Sequence, residues 1–346
     1  MRSRLLGGLT ATIFLRRYWQ KRPLFVRGAL PEFAGVVTER TLAALARRDD
    51  VESRIVVRRG RRRETAHGPF MRVSLAKNST LLVNGVNHHV PAAEELLQRF
   101  AFVPQARLDD VMVSYATPGG GVGPHVDRYD VFLLQGPGQR LWRVENKRYL
   151  ANPGDLLYVP PGMRHDGVAV DHCFTYSIGF RAPRGAELGA AFLDWLHERG
   201  LPDADFRDPG LRPTTSPGEV PRELIEFTGR LLERIRWSTR DVERFVGEYL
   251  SEPKAHVVFE PGVGRPATRE ELRHATVKLD AKTRLLYRGR RFFLNGESFE
   301  SSARNAMVLR ELADRRAVQG ARLARTTLAG LILRWHRLGY VELEKS

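Results

Sequence analysis

Between residues 25 and 182 the chain breaks into short runs of β-branched and aromatic residues, each stopped by glycine or proline. "SRIVVRR", "TLLVNGV", "VMVSYA", "YDVFLLQG", "RLWRVE", "DLLYVPPG" and "FTYSIGF" follow one another at close spacing, which predicts an all-β sandwich or barrel. After Pro183 the apolar period lengthens. Leu188, Ala191, Phe192 and Trp195 repeat at helical spacing, as do Leu224, Phe227, Leu231 and Ile235, with a Pro/Gly/Asp-rich linker from Gly200 to Pro221 between them. Residues from about 184 to 250 are therefore expected to be helical, and their apolar stripes need a partner surface. From about Glu252 the pattern changes again. "KTRLLYRGRRFFLNGESF" reads as a hairpin with turns at Arg288-Gly289 and Asn295-Gly296, followed by helices around Ala303 to Arg316 and Thr327 to Leu338, the second stopped by Gly339. Helices plus a small hairpin predict a winged helix, a shape that serves nucleic-acid binding and protein interaction alike.

With 346 residues and 42% hydrophobic composition the chain can bury the cores of two or three domains. Its formal charge of +16 suits polyanionic surroundings such as nucleic acid or ribonucleoprotein, or simply an Arg-rich proteome. The single cysteine, Cys173, excludes an internal disulfide framework and fits a reducing cytoplasm. The opening "MRSRLLGGLTATIFLRRYWQKRP" imitates a signal peptide. However, its apolar run from Leu5 to Leu15 is too short to span a bilayer and no small-residue cleavage site follows, so it reads as an amphipathic helix of the mature protein, with no membrane role.

"GPHVDRYDVF" places His125 and Asp127 two residues apart in a strand-like run, where positions i and i+2 share a face. Such a pair makes either a structural hydrogen bond or two arms of a metal site. Upstream, "TPGGGVGP" is a glycine-rich bend that lets backbone approach a ligand. It lacks the spacing of a phosphate-binding loop and leads into a strand. Downstream, in "PGDLLYVPPGMRHDG", a strand ends in a Pro-Pro-Gly turn that delivers His165. The two stretches resemble the first and second cupin motifs, in the right order. His125, Asp127 and His165 then form a 2-His-1-carboxylate set, which holds non-haem Fe(II) and leaves adjacent positions open for chemistry. A zinc-binding cupin or a cupin isomerase would more naturally carry H-x-H, and incidental histidines in a cupin barrel are the bland alternative.

"WQKRPLFVRG", "HGPF", "HVDRYDVFLLQGPGQRLWRV", "PGDLLYVPPGMRHDG" and "YSIGFRAP" together resemble the bacterial JmjC ribosomal oxygenases, and among them the arginine hydroxylases of the sixteenth large-subunit ribosomal protein. The resemblance implies an α+β chain: a double-stranded β-helix (cupin/JmjC) barrel over residues 1–183, a helical dimerisation region over 184–251 and a winged-helix domain over 252–346. It implies iron ligation by His125, Asp127 and His165, and a bidentate pairing of Arg140 with the distal carboxylate of 2-oxoglutarate, assisted by the hydroxyls of Ser114 and Ser177. The resemblance also implies that Asp110, Met112 and Tyr129 match family positions that grip the substrate arginine. A core role for Met112 and a barrel-rim role for Tyr129 are the plainer readings.

The implied reaction consumes dioxygen and 2-oxoglutarate, yields succinate and carbon dioxide, and hydroxylates C3 of an arginine in a ribosomal protein. Homodimerisation through the helical region is also implied. The chain departs from the family pattern in the eight residues from Glu145 to Asn152, where a longer connection is usual. "RRGRRRE", Arg58 to Glu64, reads as a hairpin with an arginine cluster, either simply solvated or near ribosomal RNA. Two further readings stand beside the arginine hydroxylase. One is a histidine hydroxylase of the same family. The other is a transcription regulator with a ligand-sensing barrel, against which stands the mainly Leu, Ile and Trp content of the Thr327 to Leu338 helix.

Overall fold

The structure is a computed structural model, and it describes residues 4–60, 62–262 and 265–345. All seven apolar runs are strands. The first half of the chain holds β1 (Leu24–Val26), β2 (Ser53–Arg59), β3 (Arg62–His67), β4 (Ser79–Val83), β5 (Leu108–Ala116), β6 (His125–Val126), β7 (Val131–Gln135), β8 (Arg140–Val144), β9 (Lys147–Ala151), β10 (Leu156–Val159), β11 (Arg164–Ala169) and β12 (Cys173–Phe180). They form an eight-stranded sheet in the order β1-β10-β7-β12-β5-β4-β2-β3 and a four-stranded sheet in the order β6-β11-β8-β9. From β5 onward the chain alternates between the two sheets, apart from the β8–β9 hairpin. This is the double-stranded β-helix expected from the sequence.

Alternation along each strand divides two environments. On β7, Val131 and Leu133 point between the sheets toward Trp142, Val144 and Leu157. Phe132 and Leu134 point the other way, into the main core. Helices α1 (Ala11–Arg17), α2 (Glu39–Leu45) and α3 (Pro91–Gln98) precede β5 in the chain. Thr10 caps α1 by accepting from the Ile13 N–H at 3.2 Å. Phe14 of α1 is fully buried, with its ring 5.4 Å from Phe132 and 5.0 Å from Tyr158, so the opening segment is part of the barrel's core. Between β8 and β9, Glu145 and Asn146 make a two-residue hairpin, with Glu145 at φ 49°. The short connection is thus mostly strand β9 itself.

The middle of the chain contains α4 (Gly185–Glu198), α5 (Arg222–Leu232) and α6 (Thr239–Ser251). Phe192 and Trp195 of α4 pack against Phe245 of α6, with the Phe192 and Phe245 rings 5.2 Å apart. No residue of α5 is buried. Its apolar stripe is covered in part: Phe227 meets Phe206 at 5.5 Å and Ile235 packs with the Phe245 cluster, while Ile225 and Leu232 stay exposed.

Then follow α7 (Arg269–His274), β13 (Ala275–Leu279), β14 (Leu285–Arg288), β15 (Arg291–Leu294), β16 (Glu297–Glu300), α8 (Ala303–Arg315), β17 (Ala317–Gln319), α9 (Gly320–Ala324), α10 (Ala329–Arg337) and β18 (Val341–Lys345). The expected hairpin is a three-stranded meander, β14-β15-β16. Its first turn is Gly289-Arg290, one residue later than the sequence suggested, because Arg288 pairs with Arg291. Its second turn is Asn295-Gly296, both at positive φ as such a two-residue loop requires. A separate sheet, β17-β13-β18, packs with the helices around Leu309, Ile332 and Trp335. The Leu and Ile residues that argued against base reading are partly explained by this core.

Candidate active site

β5 is the spine of the site. Asp110, Met112 and Ser114 alternate along it and line one cavity of about 780 Å³, together with His125, Asp127, Tyr129, Arg140, His165 and Ser177. All nine candidate residues read from the sequence thus share this cavity. Met112 is half-buried and faces it, a position the sequence left balanced between core and cavity.

The triad converges from loops and strand ends. His125 occupies a strand only two residues long and Asp127 lies just beyond it, so the turn, and not a shared strand face, brings the pair together. The Asp127 carbonyl accepts from the Gly162 N–H of the Pro-Pro-Gly turn at 2.8 Å, which ties the turn delivering His165 directly to the H-x-D loop. Gly162, at φ 82°, permits that turn. Asp127 Oδ2 stands 3.5 Å from His165 Nε2 and 3.9 Å from His125 Nε2. One donor atom from each residue lies within 4.8 Å of the others.

Both Nδ1 atoms are engaged with backbone carbonyls, His125 with Gly123 at 2.8 Å and His165 with Met163 at 3.1 Å. That fixes the tautomer with Nε2 unprotonated and facing the centre, the form that ligates a metal. Burial pushes the His165 imidazole below its ordinary value, which favours the same neutral form. The donor set therefore fits a hard-to-borderline divalent ion with positions left open.

Arg140 supplies the second test of fit. It is 4% exposed, and its Nη1 donates to Ser114 Oγ at 3.4 Å. Its Nε and Nη2 are buried without a hydrogen-bond partner. Orphaned buried guanidinium nitrogens are costly, and a carboxylate brought into the cavity satisfies them. The turn before Arg140 needs Gly138, at φ 80°, packed against the His172 carbonyl. Trp142, two residues on, has its ring 5.7 Å from the Arg140 guanidinium and 6.1 Å from the His165 ring. The period of two along "RLWRV" signalled it, but the sequence reading did not single it out.

At the other end of β5 sits a charged cluster. Asp109 faces Lys254 at 3.1 Å, Arg181 at 3.4 Å and Arg284 at 3.7 Å. Desolvation opposes its charge, yet these three cations outweigh it and hold Asp109 below the usual carboxylate range. Asp110 moves the other way: burial pushes it up against the pull of Lys254. Tyr129, 42% exposed, has its phenol raised to about 12 by desolvation and by the Asp127 and Asp110 charges, so it acts as a neutral donor. Lys254, Asp109 and Arg284 were invisible to motif reading, because Lys254 and Arg284 arrive from well over a hundred residues downstream with no spacing signal.

This barrel and cavity define a JmjC-type oxygenase. The JmjC domain family matches residues 95–152 and 147–188, and the ROXA-like winged helix family matches 234–342. The chain belongs to the bacterial ribosomal oxygenases. It is 34% identical over 325 residues to the ribosomal protein uL16 3-hydroxylase of Escherichia coli K12, covering 85% of this chain and 86% of that one. It is 37% identical over 215 residues to a probable ribosomal oxygenase of Haemophilus influenzae, 52% of each. Solved structures of the E. coli ribosomal oxygenase YcfD superpose on 97% of this chain and 98% of theirs, at 32% identity. The TM-score is 0.83 for YcfD alone and 0.82 for its complex with cobalt and 2-oxoglutarate.

Proposed function

We propose that this protein is an Fe(II)- and 2-oxoglutarate-dependent hydroxylase that adds a hydroxyl to C3 of an arginine in the ribosomal protein uL16. The observation that carries the reading is Arg140, a buried guanidinium with two unpartnered nitrogens facing the same cavity as the His125, Asp127 and His165 donors. His125, Asp127 and His165 would hold the iron. Arg140, with the Ser114 and Ser177 hydroxyls, would hold the distal carboxylate of 2-oxoglutarate. Iron supplies, when bound, the activation of dioxygen coupled to oxidative decarboxylation of 2-oxoglutarate to succinate and carbon dioxide.

The chain's own residues orient the substrate. Asp110 pairs with the guanidinium, Met112 packs its stem and Tyr129 covers it from the rim. The Asp110 carboxylate on the cavity wall favours a cationic arginine over a neutral histidine. Separate incubations with uL16-derived peptides carrying arginine or histidine, with Fe(II), 2-oxoglutarate and oxygen, test this: arginine-dependent succinate release supports the reading, and release with histidine peptides alone refutes it.

The exposed apolar side chains Leu193, Ile225, Leu232 and Trp237, between 56% and 63% exposed, support a homodimer formed through the region 184–251. The β2–β3 hairpin places Arg58 opposite Arg63 and Arg59 opposite Arg62. Like charges facing one another favour a nearby polyanion, which fits a site of action close to ribosomal RNA. Arg61 of that cluster lies outside the described residues. Among the described residues no helix is long and apolar enough to cross a membrane. A ribosomal-protein substrate supports a cytoplasmic site of action.

A further inference from the structure

We infer that Lys254 is a positioning residue for Asp110, holding one oxygen of that carboxylate so that the other is presented to the incoming guanidinium. The inference rests on the reading of Asp110 as the group that receives the substrate arginine. Lys254 follows α6 and lines the cavity although it is distant in sequence from every other member of the site. Its Nζ donates to Asp109 Oδ2 at 3.1 Å and to Asp110 Oδ2 at 3.4 Å. The Gly85 N–H donates to the same Asp110 oxygen at 3.1 Å. Asp110 Oδ2 is thus held twice. Oδ1 is turned toward Gly179, where a Cβ would meet it at 3.7 Å, and Gly179 itself lines the cavity.

The two carboxylates divide the labour. Asp109 faces three cations that already offset its charge; it anchors Lys254. Asp110 has one cation and one N–H on a single oxygen, so Oδ1 is the acceptor that remains. Without Lys254, Asp110 would be a buried carboxyl beside the Asp109 charge with no cation in hydrogen-bond reach, and it would take up a proton more readily. A neutral carboxyl holds a guanidinium weakly. The charged and titratable groups around the pair are Lys254, Arg181, Arg284, Tyr129, Arg54 and His88. Of these only Lys254 is within hydrogen-bond reach of Asp110.

The test is anaerobic binding of a fluorescein-labelled uL16 peptide to the Fe(II)- and 2-oxoglutarate-loaded protein across a pH series, with a peptide carrying citrulline in place of arginine as the neutral control. For Lys254→Met we expect peptide affinity to fall at least about tenfold at neutral pH. The pH below which affinity is lost should move up by about 1–3 units, the span of an opposite charge removed from a carboxylate. Lys254→Arg should restore most of both, and 2-oxoglutarate binding measured on the same samples should stay as in the parent protein. A merely structural role would lower stability without moving the pH profile. Parent-like peptide binding by Lys254→Met at every pH, or a loss independent of pH, overturns the assignment alone. A parent protein that binds arginine and citrulline peptides equally overturns the functional reading, and the assignment with it.

Discussion

Arg140 is the residue on which the account turns, because burial gives it a cost that only a ligand removes. Replacing it with alanine deletes charge-assisted bonds worth about 1.5–3 kcal/mol, so the KM for 2-oxoglutarate should rise roughly 10- to 100-fold. Steady-state kinetics at saturating peptide measures this, and an unchanged KM would remove Arg140 from the cosubstrate site. His125→Ala should behave differently, abolishing turnover at any 2-oxoglutarate concentration and weakening Mn(II) binding in calorimetry. Full activity in that variant would end the assignment of His125 as a ligand. At this scale the sequence was legible where chemistry is compressed into a few positions. His125, Asp127 and His165 lie on two short motifs, and Arg140 follows a glycine turn. Lys254 was not legible, since nothing near "EPKAH" marks it as facing Asp110.

Elements are held together here by a few polar hubs as much as by apolar packing. Glu248 on α6 accepts from Trp195 Nε1 of α4 at 2.6 Å, from Ser298 Oγ of β16 at 2.6 Å, and from Arg199 and Arg244 at 2.7 Å each. Burial opposes its charge, but these donors hold its carboxyl below the ordinary 4.5. A depressed carboxylate stabilises the fold above its unfolded value and loses that contribution as pH falls through its folded value. Glu248→Gln should therefore cost about 1.5–3 kcal/mol at neutral pH, with the gap to the parent closing below pH 4.5. Denaturant melts at pH 7 and at acid pH check this; a pH-independent gap would deny the hub its charge. The seven apolar strands of the barrel were legible because their runs are bounded by glycine and proline, whereas β9 and β11 were not, since "KRYLA" and "RHDGVA" carry charged residues. β13, β17 and β18 escaped because "ATVKL", "AVQ" and "VELEK" are short and alternate with charged or polar residues, and their pairing joins segments dozens of residues apart.

The whole molecule couples its C-terminal part to the barrel through specific bonds. Arg284 donates to the carbonyls of Leu108 and Asp109 at 3.0 and 2.9 Å, and Arg316 pairs with Glu94 at 3.0 Å. The C-terminal unit thereby supports the start of β5, the strand that carries the candidate substrate residues. By contrast, α5 buries no residue: its Phe227 meets Phe206 at 5.5 Å, but Ile225 and Leu232 stay exposed, the face a second copy would cover. Ile225→Glu combined with Leu232→Glu should yield a monomer in sedimentation velocity while the circular dichroism spectrum is kept. A dimer that survives both changes would place the contact elsewhere. The central claim is tested most directly by one measurement: mass spectrometry of a uL16 peptide after anaerobic loading of the protein with Fe(II) and 2-oxoglutarate and a pulse of oxygen. The account predicts a gain of one oxygen atom on an arginine, located at C3, with succinate formed in equal amount; an unmodified peptide and no succinate from a folded, iron-loaded protein would contradict it.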